Sequence, residues 1–510
     1  MTVYADTMKA TARDWIGLAA LTLPCLLVSM DLTVLNLAVP HISAELNPTS
    51  TQLLWIVDIY GFLIAGFLIT MGTLGDRIGR RRLLLIGSAA FGVASILAAF
   101  STTPDLLIAS RALLGIAGAT LMPSTLSLIR NMFRDDGQRT TAIGIWTTSF
   151  SVGAIAGPLL GGALLEQFWW GSVFLINVPV MALFLALGPI LLPEFRVPNA
   201  GRFDLTSAGL SLAAVLTFIY GIKRIAEHGP ELVAGACVLI GLALAVAFVR
   251  RQCKVHDPLI DPELFRFPGF AVSITCNLLG FFVLFGTFLL TAQYLQLVVG
   301  LSPFWAGMWS VPGSIAFIVG SMGTPILSRR VRPAYLMAGG LLIAAIGFAV
   351  LAGIGSGPGL AMLVIASMIY ALGLSPVYIL STDLIVTTAP PERAGAASAV
   401  SETSTELGGA MGIAIIGSIA TAVYRGQMAG NAIAGNAMAG VPEQTMEIAR
   451  NTLGGAVAAA SSLPGETSAL LLTSAHAAFT RALEVTSLVS AAVTLALAVL
   501  AAIALRNVRR

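Results

Sequence analysis

Charge is what this chain has least of. Of its 510 residues only 10% are Asp, Glu, Lys or Arg, while 57% are hydrophobic and the mean hydropathy is +0.89. A water-soluble protein of this length needs a more highly charged surface, so a soluble globular fold is excluded. The formal net charge of +3 is spread over short connectors and makes no basic patch for nucleic acid. Cysteine is scarce too. Cys25, Cys237, Cys253 and Cys276 have no metal-type spacing, which excludes a disulfide framework and a zinc site and leaves them as packing residues. His41, His228, His256 and His476 are dispersed, with no paired serine, metal cluster or phosphate loop. The expectation is a protein that is not an enzyme and holds neither metal nor cofactor. No small-residue cleavage site follows the first apolar run, so the segment from Trp15 onward is expected to be a retained helix rather than a signal peptide.

What the chain has in abundance is long apolar runs. A membrane span needs about 20 mostly apolar residues. By that measure fourteen spans are expected, beginning near residues 14, 51, 82, 105, 139, 171, 206, 232, 269, 303, 334, 359, 396 and 480. With both termini on the cytoplasmic side, inner segments hold 22 of the 28 lysines and arginines. Outer segments hold five (Lys223, Arg224, Arg425, Arg450, Arg481), and Arg111 falls inside a span. Only Lys223-Arg224, at the outer end of span 7, fits this pattern badly.

The expected organisation is a cytoplasmic N-terminus (1–13), a six-helix half (14–195), two inserted helices (206–250), a cytoplasmic linker (251–268), a second six-helix half (269–506) and a cytoplasmic tail (507–510). The second half carries an external Ala- and Gly-rich loop, 425–478, whose composition permits short amphipathic helices on the outer surface, with Pro442-Glu443 and Pro464-Gly465-Glu466 as candidate helix starts. A repeat supports the two halves: Met71-Gly72-Thr73 ends span 2 and Met322-Gly323-Thr324 ends span 10, each followed by a basic loop. Two six-helix halves with a substrate site between them near mid-membrane are how rocker-type transporters are built.

The connector Gly72-Thr-Leu-Gly75-Asp76-Arg77-Ile-Gly79-Arg80-Arg-Arg82 resembles the inner-loop motif of the major facilitator superfamily. Arg111-Ala-Leu-Leu-Gly115-Ile-Ala-Gly118 resembles its helix-4 motif, and Gly153-Ala-Ile-Ala-Gly157-Pro158-Leu-Leu-Gly161-Gly162 its antiporter motif. Asp31 to Pro40 in span 1 and Trp170 to Pro179 at span 6 are similar to the family of 14-span drug:proton antiporters. In the second half Ser328-Arg329-Arg330 keeps only a remnant of the inner-loop motif. The resemblance implies an all-α integral membrane protein of the bacterial inner membrane, working as a monomer. It would export lipophilic cations (quaternary ammonium compounds, dyes such as ethidium and acriflavine, with fluoroquinolones as a further candidate class) against inward proton flow, with no cofactor. An alternative is proton-driven export of an endogenous lipid, peptide or siderophore by the same machinery.

Ionisable groups inside spans are costly and mark function by default. Asp31, Asp58 and Arg111 share one layer about 9–12 Å inside the outer ends of spans 1, 2 and 4. They are assigned to proton coupling, with Asp31 as the main carboxylate; the competing reading is a permanent Asp31–Arg111 ion pair. Glu402 and Glu406, four residues apart on one helix face, and Asp383 nearer the inner face are assigned to cationic substrate. A polar helix contact for the glutamates and an interfacial cap for Asp383 remain open. Trp55, Tyr60, Trp146 and Phe150 would supply aromatic faces for organic cations. Gly153, Gly157 and Gly161 repeat every fourth residue and would let a neighbouring helix approach, Pro158 would kink the helix, and Gly162 completes this hinge and seal. Gly72, Gly75, Asp76, Arg77, Gly79 and Arg80 are assigned to gating, with Asp76 latching onto the opposite half.

Overall fold

The computed structural model describes residues 10–133, 135–195, 204–229, 231–255, 258, 262–328, 330–355, 359–388, 394–434 and 443–506. All regular structure among them is helical. The first group is α1 (Ala12–Leu46), α2 (Ser50–Ile78), α3 (Arg80–Ala99), α4 (Pro104–Met132), α5 (Asp136–Gln167), and α6 (Ser172–Leu175) running on into α7 (Asn177–Leu191). A hairpin follows, α8 (Leu205–His228) and α9 (Leu232–Gln252). The second group is α10 (Pro268–Gln293), α11 (Pro303–Leu327), α12 (Pro333–Leu351), α13 (Leu360–Thr388), α14 (Ala394–Ala434), α15 (Glu443–Asn451), α16 (Leu453–Ala460) and α17 (Gly465–Ala504). Among the described residues, 12 helical segments are long and apolar enough to cross a membrane, with α6 and α7 counted as one. Two more long helices, α5 and α11, have 32 and 25 residues.

Local sequence explains where helices begin. Thr11 and Asp14, then Thr49 and Gln52, form capping boxes that satisfy the first free N–H groups of α1 and α2. Thr103-Pro104 and Ser302-Pro303 pair a hydroxyl cap with a proline at the first helical position. One residue, Gly79, turns the chain from α2 to α3 with φ 109°, which a side chain would oppose.

Packing repeats in order. In the first group α1 packs on α5, α2 on α4, and α3 on α4 and α7; in the second α10 packs on α14, α11 on α13, and α12 on α13 and α17. Two seams join the groups, α2 with α14 and α5 with α11, and the repeat exchanges one seam for the other. Lipid tails are as apolar as leucine, so close backbone approach must supply the cohesion. An added methyl would fall 2.5 Å from the Leu26 carbonyl at Gly153, 2.2 Å from Thr33 Oγ1 at Gly157 and 2.0 Å from Val34 Cγ2 at Gly161, all on α1. Gly408 and Gly412 of α14 lie equally tight on α10, where an added methyl would fall 2.2 Å from the Leu278 carbonyl and 2.0 Å from that of Phe282. The glycine stripe therefore recurs with the fold. The helix α5 continues through Pro158.

The hairpin belongs to neither repeat. Helix α8 lies against both α2 and α14, covering that seam, and α9 packs on α8 with most of its surface turned outward. Asp204 caps α8 through Ser207, and Arg251 from the end of α9 bonds both residues at 3.0 Å. Burial alone would push the Asp204 carboxyl up, but these hydrogen bonds and the Arg251 charge hold it down at about 2.

The stretch expected as an external loop from 425 to 478 is largely helical. Helix α14 runs on to Ala434, and the last long helix begins at Gly465 rather than near 480. Alanine is too weakly apolar to register as a span yet is the best helix former, and Pro464 starts the helix. Between them, α15 and α16 tie the two groups together. Tyr424 Oη donates to the Ala449 carbonyl at 2.9 Å, Ser50 Oγ donates to the Asn451 carbonyl, and Gly454 lies against Ser43. The tail 507–510 and most of the N-terminus 1–13 lie outside the described residues.

Candidate functional site

The geometry is built around one turn of α2. Gly115 of α4 sits where a methyl would meet the Tyr60 carbonyl at 2.7 Å, so α4 lies directly on α2. This places Arg111, one turn earlier, inside the protein at 1% exposure. Its Nη1 donates to Asp31 Oδ2 of α1, Nε to the Ile56 carbonyl at 3.2 Å, and Nη2 to the Val57 carbonyl at 3.4 Å. The guanidinium stacks over the Tyr60 ring, 4.5 Å from its centroid, with Phe174 at 5.8 Å. Asp31 is equally buried, and among the described residues its Oδ1 and the Tyr60 hydroxyl have no hydrogen-bond partner. A carboxylate with one bonded and one free oxygen in an apolar interior retains a position that a proton can take.

Asp58 faces elsewhere. Lys223 of α8 places its ammonium 2.9 Å from Asp58 Oδ1 and 2.8 Å from Oδ2, with both side chains fully buried. The Trp55 ring covers that ammonium at 3.9 Å. Lys223, expected in an outer connector, is thus an interior residue, while Arg224 stays at the surface and pairs with Glu231 at 3.3 Å. Trp55 consequently belongs to the α2–α8–α14 contact and sits apart from Tyr60.

Glu402 and Glu406 are half-buried on α14, and among the described residues neither pairs with a cation. Asn277 of α10 braces their segment, donating to Ser404 Oγ and Thr405 Oγ1 at 2.8 Å each. Both glutamates lie within electrostatic reach of Tyr378, Glu406 also of Tyr60, and Glu402 of Cys25 in α1. They therefore look across the space between the two groups of helices. Beside them, Phe281, Phe317 and Tyr378 line a narrow cleft with Asn277. A larger cleft lies away from these charges, between Leu54, Tyr424 and Leu453. Trp146 donates to Thr125 Oγ1 at 3.1 Å and meets Phe150 edge-on at 4.9 Å. Asp383 is exposed near the end of α13.

The seam residues complete the arrangement. Pro158 and Gly162 of α5 meet α11 backbone to backbone: a methyl at Gly307 would fall 2.4 Å from the Pro158 carbonyl, and one at Gly162 2.6 Å from Phe304 Cα. At the α2–α3 turn, Arg80 donates to the Pro123 carbonyl at 3.3 Å, and Arg81 pairs with Glu194 at 3.7 Å and donates to the Leu192 carbonyl at 3.0 Å. These two arginines clamp the turn to α4 and to the end of α7. Arg77 is exposed, and a methyl at Gly75 would fall 3.0 Å from Arg80 Cδ. The Asp76 side chain, expected to latch onto the opposite half, lies outside the described residues.

Residues 22–413 match the family model of the Major Facilitator Superfamily. The chain belongs to this superfamily. It is 42% identical over 503 residues to the multidrug efflux pump LfrA of Mycolicibacterium smegmatis, covering 98% of each chain. It is 36% identical over 481 residues to the methyl viologen resistance protein SmvA of Salmonella typhimurium, covering 92% of this chain and 93% of that one. Among solved structures, a bacterial homologue of the human lysosomal transporter Spinster in an inward-facing, unoccupied conformation superposes with a TM-score of 0.67 at 19% identity, over 98% of both chains; that likeness shows the fold alone. This facilitator-superfamily member is a membrane transporter of the drug-efflux branch, not an enzyme.

Within the superfamily frame, the structure gathers Asp31, Arg111 and Tyr60 in one contact and assigns Asp58 a different partner. The sequence offered one signal for that partner, the Lys223-Arg224 pair that fits the outer-connector pattern badly. The cleft aromatics Phe281 and Tyr378 stand out only once α10 and α13 are adjacent.

Proposed function

We propose that this protein is a proton-coupled exporter of lipophilic organic cations. It crosses a bacterial inner membrane fourteen times, with α5 and α11 as the remaining two spans and both termini cytoplasmic. The carrying observation is a division of charge. Asp31 sits in a buried pair with Arg111, whereas Glu402 and Glu406 face the central space with no cationic partner among the described residues. Acids without a counter-cation in a low-dielectric space attract a cation, and aromatic walls at Tyr378 and Phe281 accept its flat, greasy body. Asp31 holds or yields a proton as Arg111 moves away from it or closes on it, with Asp58 the second carboxylate of the layer. Inward flow of protons through this layer drives the exchange, and the two seams allow the halves to rock. Quaternary ammonium compounds, ethidium, acriflavine and fluoroquinolones are the substrates to try first, and the transporter works as a monomer without a cofactor. The relatives named for multidrug efflux and methyl viologen resistance support this reading.

The test is proton release from purified protein in detergent on adding ethidium or a quaternary ammonium compound. A pH drop that saturates with substrate is expected. No release with several such cations, together with export of an endogenous lipid, peptide or siderophore, would replace this reading.

A further inference from the structure

The α8–α9 hairpin is an insertion into a twofold design, and it brings one charge into the interior. Lys223 lies 165 positions from Asp58 in sequence, yet both side chains are fully buried and the ammonium sits between the two carboxylate oxygens. Arg111 bonds the carbonyls of Ile56 and Val57, the two residues before Asp58. Two ion pairs, Asp31–Arg111 and Asp58–Lys223, thus hang on three consecutive residues of α2, the helix that forms a seam with α14. Helix α8 touches that seam from outside, where Ile219 packs with Phe62 of α2 and with Ala410 and Ala414 of α14.

We infer that Lys223 is a working member of the coupling layer: a tethered ammonium, carried in by the inserted hairpin, that competes with the proton for Asp58. This rests on the proton-coupled reading above.

A purely structural role explains the pair poorly. Two buried charges gain little over two well-packed apolar residues, because desolvation offsets their attraction. Helix α8 already has apolar and close contacts to its neighbours: Leu212 fills the space at Gly66 of α2, and Gly221 lies on the Ala234 carbonyl of α9. The other seam, α5 with α11, is joined by backbone contact and carries no buried ion pair among the described residues. The competition balances simply. A proton arriving at Asp58 neutralises the carboxylate and frees the ammonium, which keeps the Trp55 face; loss of that proton restores the pair. The charged and titratable groups around Asp58 are Lys223 from α8, Arg111 from α4, Asp31 of α1 beyond Arg111, and Tyr60 on its own helix. Helix α14, also against α2, carries Glu402 and Glu406.

The experiment compares wild type, Lys223→Met and the double variant Asp58→Asn/Lys223→Met in everted vesicles, reading gradient-driven ethidium efflux across pH and the protons moved per ethidium. A buried carboxylate stripped of its cation takes up a proton, so the efflux profile of Lys223→Met should move roughly one pH unit or more towards alkaline values. The double variant, with no buried charge left unpaired, should fold, show no alkaline displacement and move fewer protons per ethidium. A wild-type profile in Lys223→Met overturns the inference. So does a double variant that matches wild type in both pH profile and proton count, which would make the pair a structural lock. Wild-type efflux that survives collapse of the proton gradient would instead fell the transport reading, and this inference with it.

Discussion

The two seams between the halves are equivalent in the fold and opposite in chemistry. At the α5–α11 seam, backbone meets backbone at Pro158, Gly162 and Gly307, and no inserted helix lies over it. At the α2–α14 seam the contacts are looser: a methyl at Gly417 would meet the flexible end of Leu54, and α8 adds a third helix and an ion pair. The difference teaches that the backbone repeat constrains shape while charge is free to be placed on one side. Helices α10 and α11, the counterparts of α1 and α2, carry no Asp, Glu, Lys or Arg at all. One seam closes backbone to backbone, with the Glu166–Ser302 hydrogen bond at its edge, and the other adjoins both buried ion pairs.

The largest effect should come from the charged side. Asp31→Asn is expected to reduce gradient-driven ethidium efflux in everted vesicles to background. The amide oxygen can still accept from Arg111 but leaves that buried charge unpaired, so the melting temperature of the purified variant is read alongside to separate lost coupling from lost fold. An Asp31→Asn protein exchanging substrate for protons at the wild-type rate would remove Asp31 from the mechanism. Next come the seams themselves. Gly162→Ala pushes a methyl into backbone and should cost about 1–3 kcal/mol, with a matching loss of transport. Gly417→Ala meets a side-chain tip that can rotate away and should cost under about 1 kcal/mol. Thermal unfolding of both purified variants ranks the seams directly; equal losses would erase the contrast between them.

A smaller and more selective effect is expected at the acids facing the central space. Glu402→Gln should weaken resistance to divalent cations such as methyl viologen several-fold more than to monovalent ones, read as growth inhibition in a pump-deficient host. Equal loss for both classes would make Glu402 a helix contact. The smallest effect lies at the hairpin base. Asp204 is held ionised by Ser207 and Arg251 with its carboxyl at about 2, below its unfolded value. It therefore adds stability above about pH 4, and that contribution fades as pH falls towards 2. Asp204→Asn should lower the melting temperature near neutral pH by no more than about 2 °C, with the gap to wild type closing in acid.

Much of the fold was legible because hydropathy and capping are local. Thr11, Thr49, Pro104 and Pro303 mark helix starts that the sequence alone placed within a few residues. Pro464 marks the start of the last long helix, but hydropathy places the last span about 15 residues later, near 480, because a run rich in alanine hides a span from a hydropathy scale. The candidate site was half legible. Depth along a helix follows from counting residues, so Asp31 and Arg111 could be set in one layer. Azimuth does not follow from counting: nothing local says that Asp58 turns away from Arg111 towards a lysine on an inserted helix. The aromatic assignments show the same limit, since Trp55 and Tyr60 are five residues apart and serve different neighbours.

Helix α9 has a consequence for how freely the chain can vary. Its surface is mostly turned outward, and it meets α8 closely at Gly241, where a methyl would fall 2.6 Å from the Phe218 amide nitrogen, and at buried Ala234, whose carbonyl lies against Gly221. Away from Ala234, Gly241 and the Arg251 clamp, any apolar residue of good helix propensity would serve. A library randomised over Leu239, Ile240, Leu242 and Val246 should return many working sequences, whereas the same library on the inward face of α8 should return few. The hairpin thus pairs a nearly unconstrained helix with a highly constrained one, and sequence drift should accumulate on the first.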